Sequence, residues 1–127
     1  MAGTERRIVV WRVGEALLAV PLEATVEIAA VGEDRRADGR DGPLDLEPPP
    51  GLPLPEGAPR AVIVRASSRK VALAAEAIEG VVTVAGHGAE PVPPWLGGLS
   101  ADHIEAVVRI GDGRVAALLD VDALGDR

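Results

Sequence analysis

The stretch from Arg60 to Val84, RAVIVRASSRKVALAAEAIEGVVTV, constrains this chain more than any other part of it. Two apolar, partly β-branched runs meet at Ala66-Ser67-Ser68-Arg69, and a third run is broken at Glu79-Gly80. Val71, Leu73 and Ala75 alternate onto one face, and Ile78, Val81 and Val82 supply the next apolar positions. Short β-branched runs separated by small, polar or glycine residues are the pattern of an all-β barrel or sandwich.

The flanking sequence continues that pattern. Arg7 to Val13 reads as a strand apolar on both faces, with Trp11 on the face of Val9 and Val13. Gly14-Glu15 suits a type II′ turn, so Ala16 to Val20 returns antiparallel. Pro21 lacks the donor a ladder needs and ends that strand. Leu22 to Val26 reads as one helical turn, and Glu27 to Val31 as a third short strand. From Gly32 to Pro59 the chain carries seven of its eleven prolines. That stretch reads as a surface loop, in which only Gly42 to Leu46 looks able to join a sheet. Ala85 to Gly98 reads as a second loop. Ile104–Ile110 and Arg114–Leu119 read as a hairpin around Asp112-Gly113. Asp120 is placed to cap a last helical turn through Leu124, with Gly125 as its stop.

Composition narrows function. There is no Phe or Tyr and only two tryptophans, Trp11 and Trp95, so base-stacking platforms for single-stranded nucleic acid are lacking. A net charge of −7 disfavours phosphate backbones and anionic membranes as partners. The absence of Cys excludes disulfides and thiolate chemistry. Arg12 and Glu15 interrupt the first apolar run too early for a signal peptide, and no run has the length of a membrane span. A cytoplasmic protein, with no nucleic acid partner and no membrane insertion, is expected.

Candidate chemistry is sparse. His87, Glu90, Asp102 and His103 are the one set from which a metal site can be assembled, but neither histidine has ligand spacing, so solvated loop positions explain them better. Asp120 and Asp122 suggest an acid–base pair, and helix capping by Asp120 accounts for them more simply. Ser67, Ser68 and Ser100 stand in no nucleophile elbow, and Gly111-Asp112-Gly113 is a hairpin turn rather than a phosphate loop. Trp95, after Pro93-Pro94, reads as a lid on the core or as an exposed anchor. No catalytic residue, metal or cofactor is expected.

Four blocks, in order, resemble the CheW-like domain of bacterial chemosensory systems. The first runs from the opening hairpin through Ala19-Val20-Pro21-Leu22 to Glu27-Ile28. The second, Lys70 to Val82, is similar to the family's "vGLvVDeVegVv". The third is the proline-bearing Pro91 to Pro94. The fourth, Arg114 to Leu124, is similar to the closing "LLDldrLl". The resemblance implies an all-β fold of two small SH3-like five-stranded β-barrel subdomains with short helical turns, spanning 1–127 as one domain. It also implies a non-enzymatic adaptor that couples the chemoreceptor cytoplasmic tip to the CheW-like regulatory domain of a histidine kinase through barrel-to-barrel contacts. The family's central "GxxNLRGxxxPVxDL" is matched only by Gly39-Arg40-Asp41-Gly42-Pro43-Leu44-Asp45-Leu46, with the Asn-Leu absent and Asp41 inserted. The shortened spacing implies that the Pro-rich loop 32–59 is inserted in, or replaces part of, the first barrel. By position, Glu27, Ile28, Arg40, Gly42 and Leu44 are the expected partner-binding residues. The alternative is a small ligand-binding or self-associating β-barrel outside chemotaxis.

Overall fold

The computed structural model describes residues 5–49, 51–67, 69–85, 103–111 and 113–125. The chain is all-β. Among the described residues ten strands run in order: β1 (Glu5–Val13), β2 (Ala16–Pro21), β3 (Thr25–Ala30), β4 (Arg36–Gly39), β5 (Gly42–Glu47), β6 (Arg60–Ala66), β7 (Arg69–Ala75), β8 (Ala77–Ala85), β9 (Ile104–Arg109) and β10 (Val115–Leu119). The described residues include a 3-10 turn at Leu22–Ala24 and a terminal helix α1 (Val121–Gly125).

The strands form two five-stranded sheets, ordered β8-β1-β2-β10-β9 and β3-β6-β7-β5-β4. Each contains one parallel pair, β2 with β10 in the first and β5 with β7 in the second. The second sheet curls back on itself, because Val31, just past β3, bridges Ala37 of β4. In the first sheet, Val84 of β8 and Val108 of β9 share one buried cluster, so its two outer strands face a common interior.

Alternation along the strands builds three apolar layers. Ile8, Val10, Ala19, Val108 and Leu118 fill the first sheet's interior. Ala29, Ala37, Ala61, Ile63 and Ala72 fill the second. Between the sheets lie Val9, Trp11, Val13, Leu18, Val62, Val64, Val71, Leu73 and Leu119, with Leu124 of α1. β1 therefore buries both faces, as its doubly apolar sequence demands. Asp120 caps α1 as expected, with the Ala123 N–H donating to its Oδ1 at 3.3 Å.

The opening hairpin matches its II′ expectation. Val13 pairs with Ala16, and Gly14 has φ 60° while Glu15 does not enter the positive region. Three other expectations are corrected. The helical turn after Pro21 stops at Ala24 rather than Val26, because Thr25 is already extended (φ −82°, ψ 122°) and its Oγ1 donates to the Pro21 carbonyl. The break expected at Glu79-Gly80 is a β-bulge inside the continuous strand β8. There Val10 faces Gly80 and Trp11 faces Ile78, with the left-over residue absorbed by the φ of 122° that glycine permits. The loop expected over 32–59 contains β4 and β5, so the second sheet has its full five strands. β5 covers the segment singled out from sequence, and β4 is added by a tight hairpin. The loop reading of Ala85 to Gly98, with Trp95, falls almost wholly outside the described residues.

The β3–β4 hairpin holds a local strain. Arg35 N–H donates to the Gly32 carbonyl and Gly32 N–H to Arg36, a type I turn followed by one left-handed residue. That residue is Arg35, with φ 63°, where glycine is the unstrained choice. Arg35→Gly is expected to raise stability by about 1 kcal/mol, read as an increase in the urea midpoint at unchanged slope.

Candidate functional site

β3, β4 and the turn into β5 form one end wall of the second sheet. In the β4–β5 hairpin Gly39 faces Gly42, leaving Arg40 and Asp41 as the two-residue loop. Gly42 has φ 127°, which explains why a glycine follows the inserted Asp41. The β3–β4 ladder does not continue beyond its single bridge. At the far end a side chain takes its place: the Arg40 backbone N–H donates to Glu27 Oε1 at 2.6 Å. The Glu27 side chain is 20% exposed, whereas the Arg40 side chain, 3.9 Å from Glu27 Oε2, is 88% exposed. Glu27 thus anchors the turn, and most of the Arg40 guanidinium is presented to solvent.

Packing around this anchor is close. A Cβ on Gly39 would lie 2.9 Å from the Gly42 carbonyl oxygen, 3.1 Å from Glu27 Oε1 and 3.2 Å from Ile63 Cδ1. Beside it opens a cavity of about 60 Å³, lined among others by Glu27, Gly42, Leu44 and Lys70. Lys70, on β7, forms an ion pair with Asp41. The hydrogen bond from Lys70 and its charge hold the Asp41 carboxyl below its ordinary value of 3.8.

Four of the five expected partner residues, Glu27, Arg40, Gly42 and Leu44, are therefore gathered in one place. Ile28 is not with them. In β3 Glu27 pairs with Ile63, whose side chain fills the sheet interior, whereas Ile28 pairs with Val62, which faces the layer between the sheets. Ile28 is 45% exposed there, and Val26, at the β-bulge between Thr25 and Glu27, is 40% exposed. The sequence reading missed Val26 because it placed that residue in a helical turn. It also missed the Asp41–Lys70 pair, whose members are far apart in sequence.

The other candidates resolve as follows. His87, Glu90, Asp102, Ser68, Ser100 and Asp112 lie outside the described residues. His103 offers its backbone carbonyl to Asp120 N–H at 2.8 Å. Among the described residues no three His, Cys, Asp or Glu side chains are grouped as metal ligands. Asp120 is occupied as a helix cap, and Asp122 is exposed. Ser67 forms the β6–β7 turn in a left-handed conformation, φ 53°.

Comparison with known proteins places this architecture. A family model described as the CheW-like domain matches residues 41–127, more than half of the chain. The chain belongs to the CheW-like domain family. Among solved structures, this CheW-like chain is similar to the scaffolding protein TtCheW from Thermoanaerobacter tengcongensis, with a TM-score of 0.73 and 16% sequence identity. The match covers 94% of this chain and 86% of that one. No curated protein sequence matches it. The likeness to TtCheW supports the fold of two β subdomains and, at that identity, nothing finer.

Two outcomes follow from the site geometry. Gly39→Ala is expected to lower stability by about 1–3 kcal/mol, because backbone rather than a movable side chain blocks the new methyl; thermal and urea unfolding read this. Asp41 has a folded-state pKa below its unfolded value, so its contribution is present at neutral pH and lost as pH falls through the acid range. Asp41→Asn is therefore expected to flatten the acid limb of a stability-versus-pH curve and leave its alkaline limb unchanged.

Proposed function

We propose that this chain is a non-enzymatic adaptor of a bacterial chemosensory system, working in the cytoplasm. In this reading it joins a chemoreceptor cytoplasmic tip to the CheW-like regulatory domain of a histidine kinase. The observation that carries the reading is the family match over residues 41–127. The solved relative is itself titled a scaffolding protein. No described helix is long and apolar enough to cross a membrane.

The outer wall of β3 and the β4–β5 turn supply the partner surface in this proposal. Ile28 gives an exposed apolar side chain on the face of the layer between the sheets, and Val26, at the neighbouring bulge, adds another. Arg40 gives a guanidinium tethered at its backbone but open at its side chain. Arginine is among the residues enriched at interface hot spots, and Ile28, on the other face of β3, adds exposed apolar surface. Gly42 and Leu44 serve indirectly, by setting the turn that holds Arg40 in place.

Co-purification with a CheW-like kinase regulatory domain tests the role. Ile28→Asp and Arg40→Glu are each expected to weaken that binding at least tenfold while leaving the melting temperature close to that of the parent. Undiminished binding by both variants would move the contact to another wall, and no binding by the parent would end the adaptor reading.

A further inference from the structure

A second concavity lies at the opposite end of the β3–β4 hairpin from Arg40. Its volume is about 470 Å³, within the range of small-ligand sites. The floor is aliphatic, built from Val31, Leu46 and Pro55. Three charged side chains line it: Glu33 and Arg35 from the hairpin turn, and Glu56 from the Pro-rich segment facing it. None of the three has a side-chain partner among the described residues. Some other charges of the same sheet are paired, Arg36 with Asp45, Arg69 with Glu47, and Lys70 with Asp41.

Arg35 is also the residue held at φ 63° in a hairpin position that favours glycine. A backbone outlier at the rim of a concave site is ground for a functional hypothesis about its side chain. A guanidinium binds a carboxylate through paired hydrogen bonds, and carboxylates on the facing wall suit an ammonium. Pro55 stiffens that wall, which reduces the ordering cost of binding.

We propose that this concavity binds a short zwitterionic peptide with apolar side chains, about the size of a dipeptide. Its carboxylate meets Arg35, its ammonium meets Glu33 and Glu56, and its side chains rest on Val31, Leu46 and Pro55. The site is separate from the adaptor wall, so the two readings stand or fall independently.

The test titrates leucyl-leucine into the isotope-labelled full-length chain and follows backbone amide resonances. N-acetyl-leucine amide, which carries neither charge, is the control. Saturable shifts centred on Val31, Gly32, Leu46, Gly57 and Ala58 are expected with the dipeptide and not with the control. Arg35→Gly is expected to raise the melting temperature yet weaken dipeptide binding at least tenfold, an inverse response that a merely structural arginine would not produce. Glu56→Gln, on an exposed segment, is expected to weaken binding without altering the melting temperature. The proposal is overturned by the absence of saturable shifts, by equal binding of the uncharged control, or by undiminished binding in both variants.

Discussion

Neither sheet of this chain can cover its own outer wall, and the apolar layer between them is the contact on which the rest of the structure depends. Along β1, Val9, Trp11 and Val13 enter that layer while Ile8 and Val10 fill the first sheet's interior. β6 divides its residues the same way, Val62 and Val64 outward and Ile63 inward. Each large aliphatic side chain so buried contributes about 1.5–3 kcal/mol. The layer is assembled almost wholly from Val, Leu, Ile and Ala, because the chain has no Phe or Tyr to offer. Trp11 is the exception, fully buried, and its indole nitrogen has no hydrogen-bond partner among the described residues. An unmade hydrogen bond of that kind costs about 1–3 kcal/mol. The volume the ring fills in a core of small residues offsets that cost.

Polar contacts then fix how the layers meet. Arg69 donates to both carboxylate oxygens of Glu47 and to the Leu124 carbonyl, tying β7, the end of β5 and α1 together. Hydrogen bonding to Glu47 raises the Arg69 pKa further above its already high ordinary value. At the crossover from β7 to β8, Glu76 binds back to β1 through its N–H to the Arg12 carbonyl and through its carboxylate to the Gly14 N–H. The strand and turn carrying Ile28 and Arg40 are thus mounted on a frame closed by a shared core and by these links.

Much of this was legible in the residues. The doubly apolar β1, the Gly14 turn, the terminal hairpin and the Asp120 cap all follow from local rules that tertiary packing does not override. The central segment was harder. β4 reads Arg36-Ala37-Asp38-Gly39, and only Ala37 is buried, so no hydrophobic alternation announces it. It exists because a four-residue turn folds it back against Val31 and because β5 pairs along its length. Proline density misled for a related reason. Pro43 sits in β5 opposite Asp38, on a strand whose other neighbour, β7, pairs only with Leu46 and Glu47, so the missing donor disrupts little.

The candidate surface was legible as a set of positions and not as a shape. Glu27 and Ile28 are adjacent in sequence, and strand geometry sends them to opposite faces. The carboxylate goes inward to the turn and the isoleucine outward to solvent. What joins Glu27 to Arg40 is a side-chain bond to a backbone N–H across an interrupted ladder, and no periodicity encodes it.

The order of strands carries a consequence for synthesis on the ribosome. β1 and β2 emerge first, yet β8 and β10, which flank them, are made after the whole of β3 to β7. The intervening sheet consists of strands contiguous in the chain, so it can close while the leading hairpin is still unmatched along both borders. Exposed strand borders invite mispairing until their partners arrive. During synthesis the leading hairpin therefore waits with both borders open until β8 and β10 are made.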